Sequence, residues 1–254
     1  MARNLARCAI KGFVSKAIPV TLHEQMQRAI EKPVGTPVRD IDTPALLVDL
    51  ERLDANVGVV QGPARAEAWV HKTPAIARRQ TAGSNVVGIA VRSIAEAEAF
   101  ANAGFDDIRV LRPLVTPASQ RRAAALGRSI RLCLADDGVP LTGADALDDA
   151  VTVSSHVTSA PEPGRAILDC GQKAIGRDFG DPTVVGYEGW RASAGSAEHG
   201  GIAYPADAPQ LAIGDWLELR PADVASVFSL HDVAYGVRDG VLEVVWAITA
   251  RGAF

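Results

Sequence analysis

Two rhythms of apolar residues alternate between residues 40 and 142: short continuous runs, which predict strands, and runs spaced three or four apart, which predict helices. The segment ALLVDL (45–50), after Asp42-Thr43-Pro44, reads as a short buried strand. In ERLDANVGVV (51–60) the spacing of Leu53, Val57 and Val60 predicts a helix, with Glu51 near its positive end. From residue 68 the alternation runs through AWVH as a strand, TPAIARRQTAG as a helix, NVVGIAV as a strand, SIAEAEAFANAG as a helix and DIRVLRPLV as a strand. TPASQRRAAALG and IRLCLADD add a further helix and strand. Ser93 stands at an N-cap position with Glu96 three residues on, the pattern of a capping box, and Gly104 supplies a left-handed stop. About four parallel strands are counted before the rhythm ends near Gly138, half the number that closes a β/α barrel.

Beyond residue 145 the pattern becomes β-rich, with DAVTVSSHVTSA, RAILDCG, DWLELRPA, SVFSL, VAYGVRDG and VLEVVWAITA separated by Pro and Gly. Asp239-Gly240 between two of these segments predicts a hairpin, because a primed turn needs positive φ at both central positions. The fold class is therefore α/β plus all-β. Residues 1–39 form an N-terminal extension, 40–142 a partial β/α barrel and 143–254 a β domain. A half barrel leaves open edges and an uncovered sheet face, and the expectation of an apolar face there motivates homodimerisation.

Composition narrows the function classes. With 254 residues, 48% hydrophobic, 22% charged and a net charge of -4, the chain is that of an ordinary globular protein. Arg and Lys are scattered, and no apolar run reaches membrane-spanning length, so neither nucleic acid nor membrane is indicated as a partner. Cys8, Cys133 and Cys170 are odd in number and lack CxxC spacing, which fits a reducing compartment, the cytoplasm. Residues 1–22 carry Arg3, Arg7, Lys11 and Lys16 without an acid, the charge pattern of a transit peptide, but lack a secretory core; a plain extension is the simpler reading.

Three ordered blocks carry a family resemblance: DIDTPALLVDLERLDANV (40–57), the segment from His71 to Val115, and the C-terminal part with LDCGQKAIGRD, SAEHGG, IGDWLELRPADVASVFSLHD and VLEVVWAITARG. Together they resemble the D-serine dehydratase and D-threonine aldolase family of alanine-racemase-like, fold type III enzymes. The resemblance implies a β/α barrel followed by a D-serine dehydratase-like β domain, with pyridoxal phosphate at the C-terminal mouth of the barrel. It implies a lyase acting on small D-3-hydroxy amino acids, a divalent ion such as zinc or manganese, and a dimer.

Three departures bear on that chemistry. About 75 residues separate the first barrel strand from the β domain, too few for eight β/α units. The family's Arg-Pro-His-x-Lys-Thr-His-Lys pattern aligns with Arg65, Ala66 and Glu67, and puts Trp69 where the reactive lysine would stand. His71 and Lys72 match the end of the pattern, so both are candidate cofactor-binding residues and Lys72 is the candidate amine. The family's metal pair falls on Asp223 and Ala225, which leaves Asp223 as the single candidate ligand.

His199, in Glu198-His199-Gly200, and His231, beside Asp232, complete the candidate catalytic set, since an imidazole next to a carboxylate can transfer protons near neutrality. Lys173 is a remoter candidate amine. Two functions follow: a pyridoxal-phosphate-dependent lyase, or a non-catalytic, internally shortened relative acting in binding or structure.

Overall fold

The strand β1 (Ala45–Asp49) is buried on both faces, which accounts for its unbroken apolar run. Leu46 and Val48 pack into the main core with Val151, Val153 and Phe228, while Ala45 and Leu47 face Val38, Ile41 and Leu242. The computed structural model describes residues 34–58, 62–82, 85–142 and 150–254. The basic segment 1–22, most of the extension and the helical pattern of 22–31 lie outside the described residues. Within the extension, Gly35 and Val38 donate backbone N–H groups to Leu242 and Gly240.

After β1 come α1 (Leu50–Gly58), β2 (Ala64–Glu67), α2 (Ala68–His71), α3 (Pro74–Thr81) and β3 (Val86–Val91). There follow α4 (Ile94–Asn102), β4 (Asp107–Val110), α5 (Pro117–Leu126) and β5 (Arg131–Cys133). The four strands β2-β3-β4-β5 form one parallel sheet, the half barrel expected. Helix α4 opens on the Ser93/Glu96 capping box, and Gly104 has φ of 88°. Ala66, Ile89, Val91, Ile108 and Val110 point outward to the helices, where Phe100 and Ala97 complete a second core.

Two expectations for this part are corrected. AWVH is the helical turn α2, and the first parallel strand is the polar segment ARAE just before it. Arg65 makes that segment unlike a strand, yet its guanidinium is buried against Asp107 at 2.8 Å and Asp137 at 2.7 Å, so β2 can pair with β3. The concave face is likewise not apolar. Arg65 and Arg109 occupy it, and Arg109 pairs with Asp136 at 3.0 Å and Asp137 at 2.7 Å. Gly88 makes the room: a Cβ there would lie 2.5 Å from Arg65 Nη1. The free edge of β2 is also taken, since Arg65 N–H donates to Pro140 O (2.8 Å) and Thr142 N–H to Arg65 O (2.9 Å).

The C-terminal part contains β6 (Val151–Glu162), β7 (Arg165–Leu168), α6 (Gln172–Ile175), β8 (Thr183–Val184), β9 (Arg191–Ser193) and β10 (Gly200–Ala203). It continues with β11 (Trp216–Arg220), α7 (Val224–Leu230), β12 (Val233–Arg238) and β13 (Val241–Ala247). The sheet runs β13-β12-β1-β6-β7-β10-β9, with β11 joining β6 to β8. So β1, grouped by sequence with the barrel, lies in the β domain's sheet, parallel to β12 and antiparallel to β6. Asp239 (φ 50°) and Gly240 (φ 73°) form the predicted hairpin turn. SVFSL, grouped with the strands, is helical instead: Asp223 caps α7 by accepting from Ser226 N–H at 2.7 Å, and Val224, Val227 and Phe228 bury one face.

Candidate functional site

In β/α folds the loops after the parallel strands build the site. Here those loops converge on a cavity of about 420 Å³. Trp69 and Lys72 reach it after β2, Arg92 and Ser93 after β3, and Arg112 after β4. Glu96 comes from the first turn of α4, Asp223, Ala225 and Ser226 from the start of α7, and Arg251 from the chain after β13.

Lys72 ends α2 in a left-handed conformation, φ 54°, which turns the chain from β2 toward α3. Its Nζ donates to Trp69 O at 2.8 Å and Ala225 O at 3.3 Å, and its own carbonyl accepts from Ala250 N–H at 3.1 Å. The residue therefore ties the barrel loop to the β domain and keeps an amine at the cavity wall. Burial lowers the Lys72 pKa; Glu96 opposes this and Arg92 adds to it. Burial raises the Glu96 pKa against hydrogen bonds from the N–H groups of Arg92 (2.6 Å) and Ser93 (3.2 Å). The Arg92 guanidinium lies over Trp69, 3.5 Å from the ring centroid, and Trp69 Nε1–H donates to Glu67 at 3.1 Å.

The three predicted site histidines are not gathered here. His71 is fully buried outside the cavity, edge-on to Phe228. Its Nδ1 accepts from Thr73 N–H at 3.1 Å, which leaves Nε2–H to donate to Gln80 Oε1 at 3.0 Å. Burial depresses its pKa to about 3, so this ring is a neutral core group, set apart from the Lys72 cavity. His199 sits on an exposed turn, its N–H donating to Ser196 Oγ at 3.0 Å, beside a different, open cavity lined by Arg165 and Arg191. His231 ends α7 and its Nε2–H donates to Ala174 O at 2.7 Å; burial lowers its pKa.

The carboxylates expected to assist these histidines have other partners. Glu198 pairs with exposed Lys173 at 2.8 Å, and Asp232 with Arg251. Lys72, His199 and His231 thus occupy three separate places. Asp223 lines the Lys72 cavity, but its carboxylate caps α7, and Ala225 offers no side-chain donor. Among the described residues no three His, Cys, Asp or Glu side chains converge, so the donor set does not fit a divalent ion. Arg92, Arg112 and Arg251 had no motif to mark them. Their signal is position, directly after a strand of the sheet in the first two cases.

A family profile described as "Putative serine dehydratase domain" matches residues 150–237. The chain is 38% identical over 107 residues to D-threonine aldolase of Arthrobacter sp, a match covering 42% of this chain and 28% of the aldolase. The chain thus spans less than a third of that relative's length. It is 33% identical over 112 residues to an uncharacterized protein of Mycobacterium tuberculosis, covering 42% of this chain and 84% of that protein. The crystal structure of D-threonine aldolase from Filomicrobium marinum superposes on 87% of this chain and 99% of its own, with a TM-score of 0.77 at 20% identity. That likeness shows the fold, alanine-racemase-like in type.

Proposed function

We infer, from the premise that this chain belongs to the D-serine dehydratase and D-threonine aldolase family, that the Lys72 cavity is a pyridoxal-phosphate-dependent lyase site for D-3-hydroxy amino acids. The observation that carries the reading is Lys72 itself: a half-buried amine of lowered pKa, at the C-terminal ends of the parallel strands, in a cavity lined by arginines. A lysine there is poised to react with a carbonyl, because lowering its pKa raises the fraction present as free amine.

The residues present fit the cofactor. About 420 Å³ accommodates a small aromatic phosphate, Lys72 supplies the amine, and Arg92, Arg112 and Arg251 supply positive charge. When bound, the cofactor supplies an electron sink for cleavage next to the substrate's amino carbon. The chain's own residues do the rest. Lys72 can hold or release a proton at Nζ, and the arginines give the cavity the positive charge that suits an anionic ligand.

A second reading, a non-catalytic binding protein, is favoured by Trp69 standing where the family has its reactive lysine and by the ion-paired concave face. One experiment separates the two. The protein is mixed with pyridoxal phosphate, reduced with borohydride and digested, and the peptides are weighed. The lyase reading expects a reduced adduct on Lys72, absent in Lys72→Ala, with D-threonine cleaved to glycine and acetaldehyde. Protein that yields no adduct is the non-catalytic form.

A further inference from the structure

Arg92 and Arg112 line the Lys72 cavity, and the carboxylate that bears on Arg112 there, Glu96, makes no close ion pair with it. Neither forms an ion pair with a described residue, whereas Arg65, Arg109, Arg122 and Arg251 all do. The two follow adjacent parallel strands, and Arg112 N–H donates to Arg92 O at 3.3 Å, so their side chains leave from neighbouring points. Arg92 is already oriented by its stack on Trp69. The acids of the cavity are held by backbone: Glu96, which also feels the charge of Arg112, accepts from the N–H groups of Arg92 and Ser93, and Asp223 from that of Ser226. Two guanidiniums on neighbouring strands, about 5 Å apart at the backbone, match the charge and the several acceptor oxygens of a doubly charged tetrahedral anion. A full barrel commonly seats phosphate on the loops after its seventh and eighth strands. The parallel sheet here has four strands among the described residues, so a phosphate needs another anchor.

We propose that Arg92 and Arg112 form a clamp for a phosphate monoester, holding the phosphate of pyridoxal phosphate at the ends of β3 and β4. The identity of the ester rests on the lyase reading; the clamp is measured independently of it. Calorimetric titration at fixed ionic strength compares pyridoxal phosphate, pyridoxal and inorganic phosphate. Pyridoxal phosphate binds at least roughly tenfold tighter than pyridoxal, a difference of about 1.4 kcal/mol, and inorganic phosphate competes with it. Arg92→Gln and Arg112→Gln each weaken pyridoxal phosphate about tenfold and leave pyridoxal unchanged. Arg92 and Arg112 are both exposed, and Arg112, which has no stacking partner among the described residues, gives the variant that leaves the packing untouched.

Equal affinity for pyridoxal and its phosphate overturns the clamp, as does a folded Arg112→Gln that binds like the wild type. Lys72→Ala separates the two ideas. The phosphate preference persists in that variant if the clamp is right, whether or not the wild type forms a reducible adduct. An adduct on Lys72 without any phosphate preference leaves the lyase reading standing and removes the clamp.

Discussion

Asp137 Oδ2 lies 2.8 Å from Nε and 2.7 Å from Nη2 of Arg65, a two-point contact with a guanidinium that has no solvent exposure. The same carboxylate reaches Arg109 through Oδ1 at 2.7 Å. Asp137 lies on the short connection after β5, so one side chain joins that connection to the concave face of the half barrel. Burial works against its ionisation, but hydrogen bonds from Arg65, Val139 N–H and Arg109 prevail and hold the carboxyl down to about 2.

Asp137→Asn is therefore expected to destabilise the protein by about 1.5–3 kcal/mol, because it removes a charged acceptor shared by Arg65 and Arg109 and leaves buried Arg65 with Asp107 alone. Urea denaturation monitored by circular dichroism measures it. The sign of the pH dependence is set by the depressed pKa. The contribution is complete above the unfolded carboxylate value of about 3.9 and is lost as pH falls through about 2. The difference in stability between wild type and variant should shrink over that interval.

His71 gives a second, separate pH dependence. Burial holds its pKa at about 3, Gln80 opposing, so the folded protein cannot protonate it where the unfolded chain does, below about 6.5. Stability then falls by about 1.4 kcal/mol per pH unit between these two values as the medium is acidified. His71→Gln should flatten that slope, and chemical denaturation at several pH values from 7 to 4 reads it. An unchanged slope would show that the ring is not the linked group.

Gly88→Ala places a methyl 2.5 Å from Arg65 Nη1 and 2.7 Å from the Asp107 carbonyl oxygen. The second neighbour is backbone and cannot swing away. A loss of about 1–3 kcal/mol is expected from this overpacking, read as a lowered urea midpoint at unchanged m-value.

Lys72 should react with an acylating reagent at lower pH than an ordinary lysine, since burial and Arg92 both favour its neutral form over the opposing pull of Glu96. Peptide mass analysis across a pH series gives its midpoint, expected below about 10.4. Arg92→Gln, which removes a repelling cation, should move that midpoint upward.

Periodicity made most of this fold legible. The helix over 94–102, its capping box and the hairpin at Asp239-Gly240 all rest on local rules that tertiary structure did not override. The failures share one cause. ARAE and SVFSL took their conformations from partners distant in sequence, Asp107 and Asp137 for Arg65 and the buried side of α7 for SVFSL. At the site, Lys72 and Asp223 could be placed by motif alignment, and both line the cavity. Arg92 and Arg112 could not, because what gathers them is the side-by-side ending of β3 and β4, a property of the sheet with no local signature.

Asp49 N–H donates to Ala150 O at 2.8 Å, just where β1 and β6 run antiparallel. The chain therefore leaves the large sheet at one strand and re-enters it at the adjacent one, with the entire parallel-stranded segment slung between two hydrogen-bonded neighbours. Such an excursion is topologically a loop. The register of β1 against β6 and β12 thus fixes where the parallel-stranded segment departs and returns, and the contact of Ala250 N–H with Lys72 O pins it a third time between those two points.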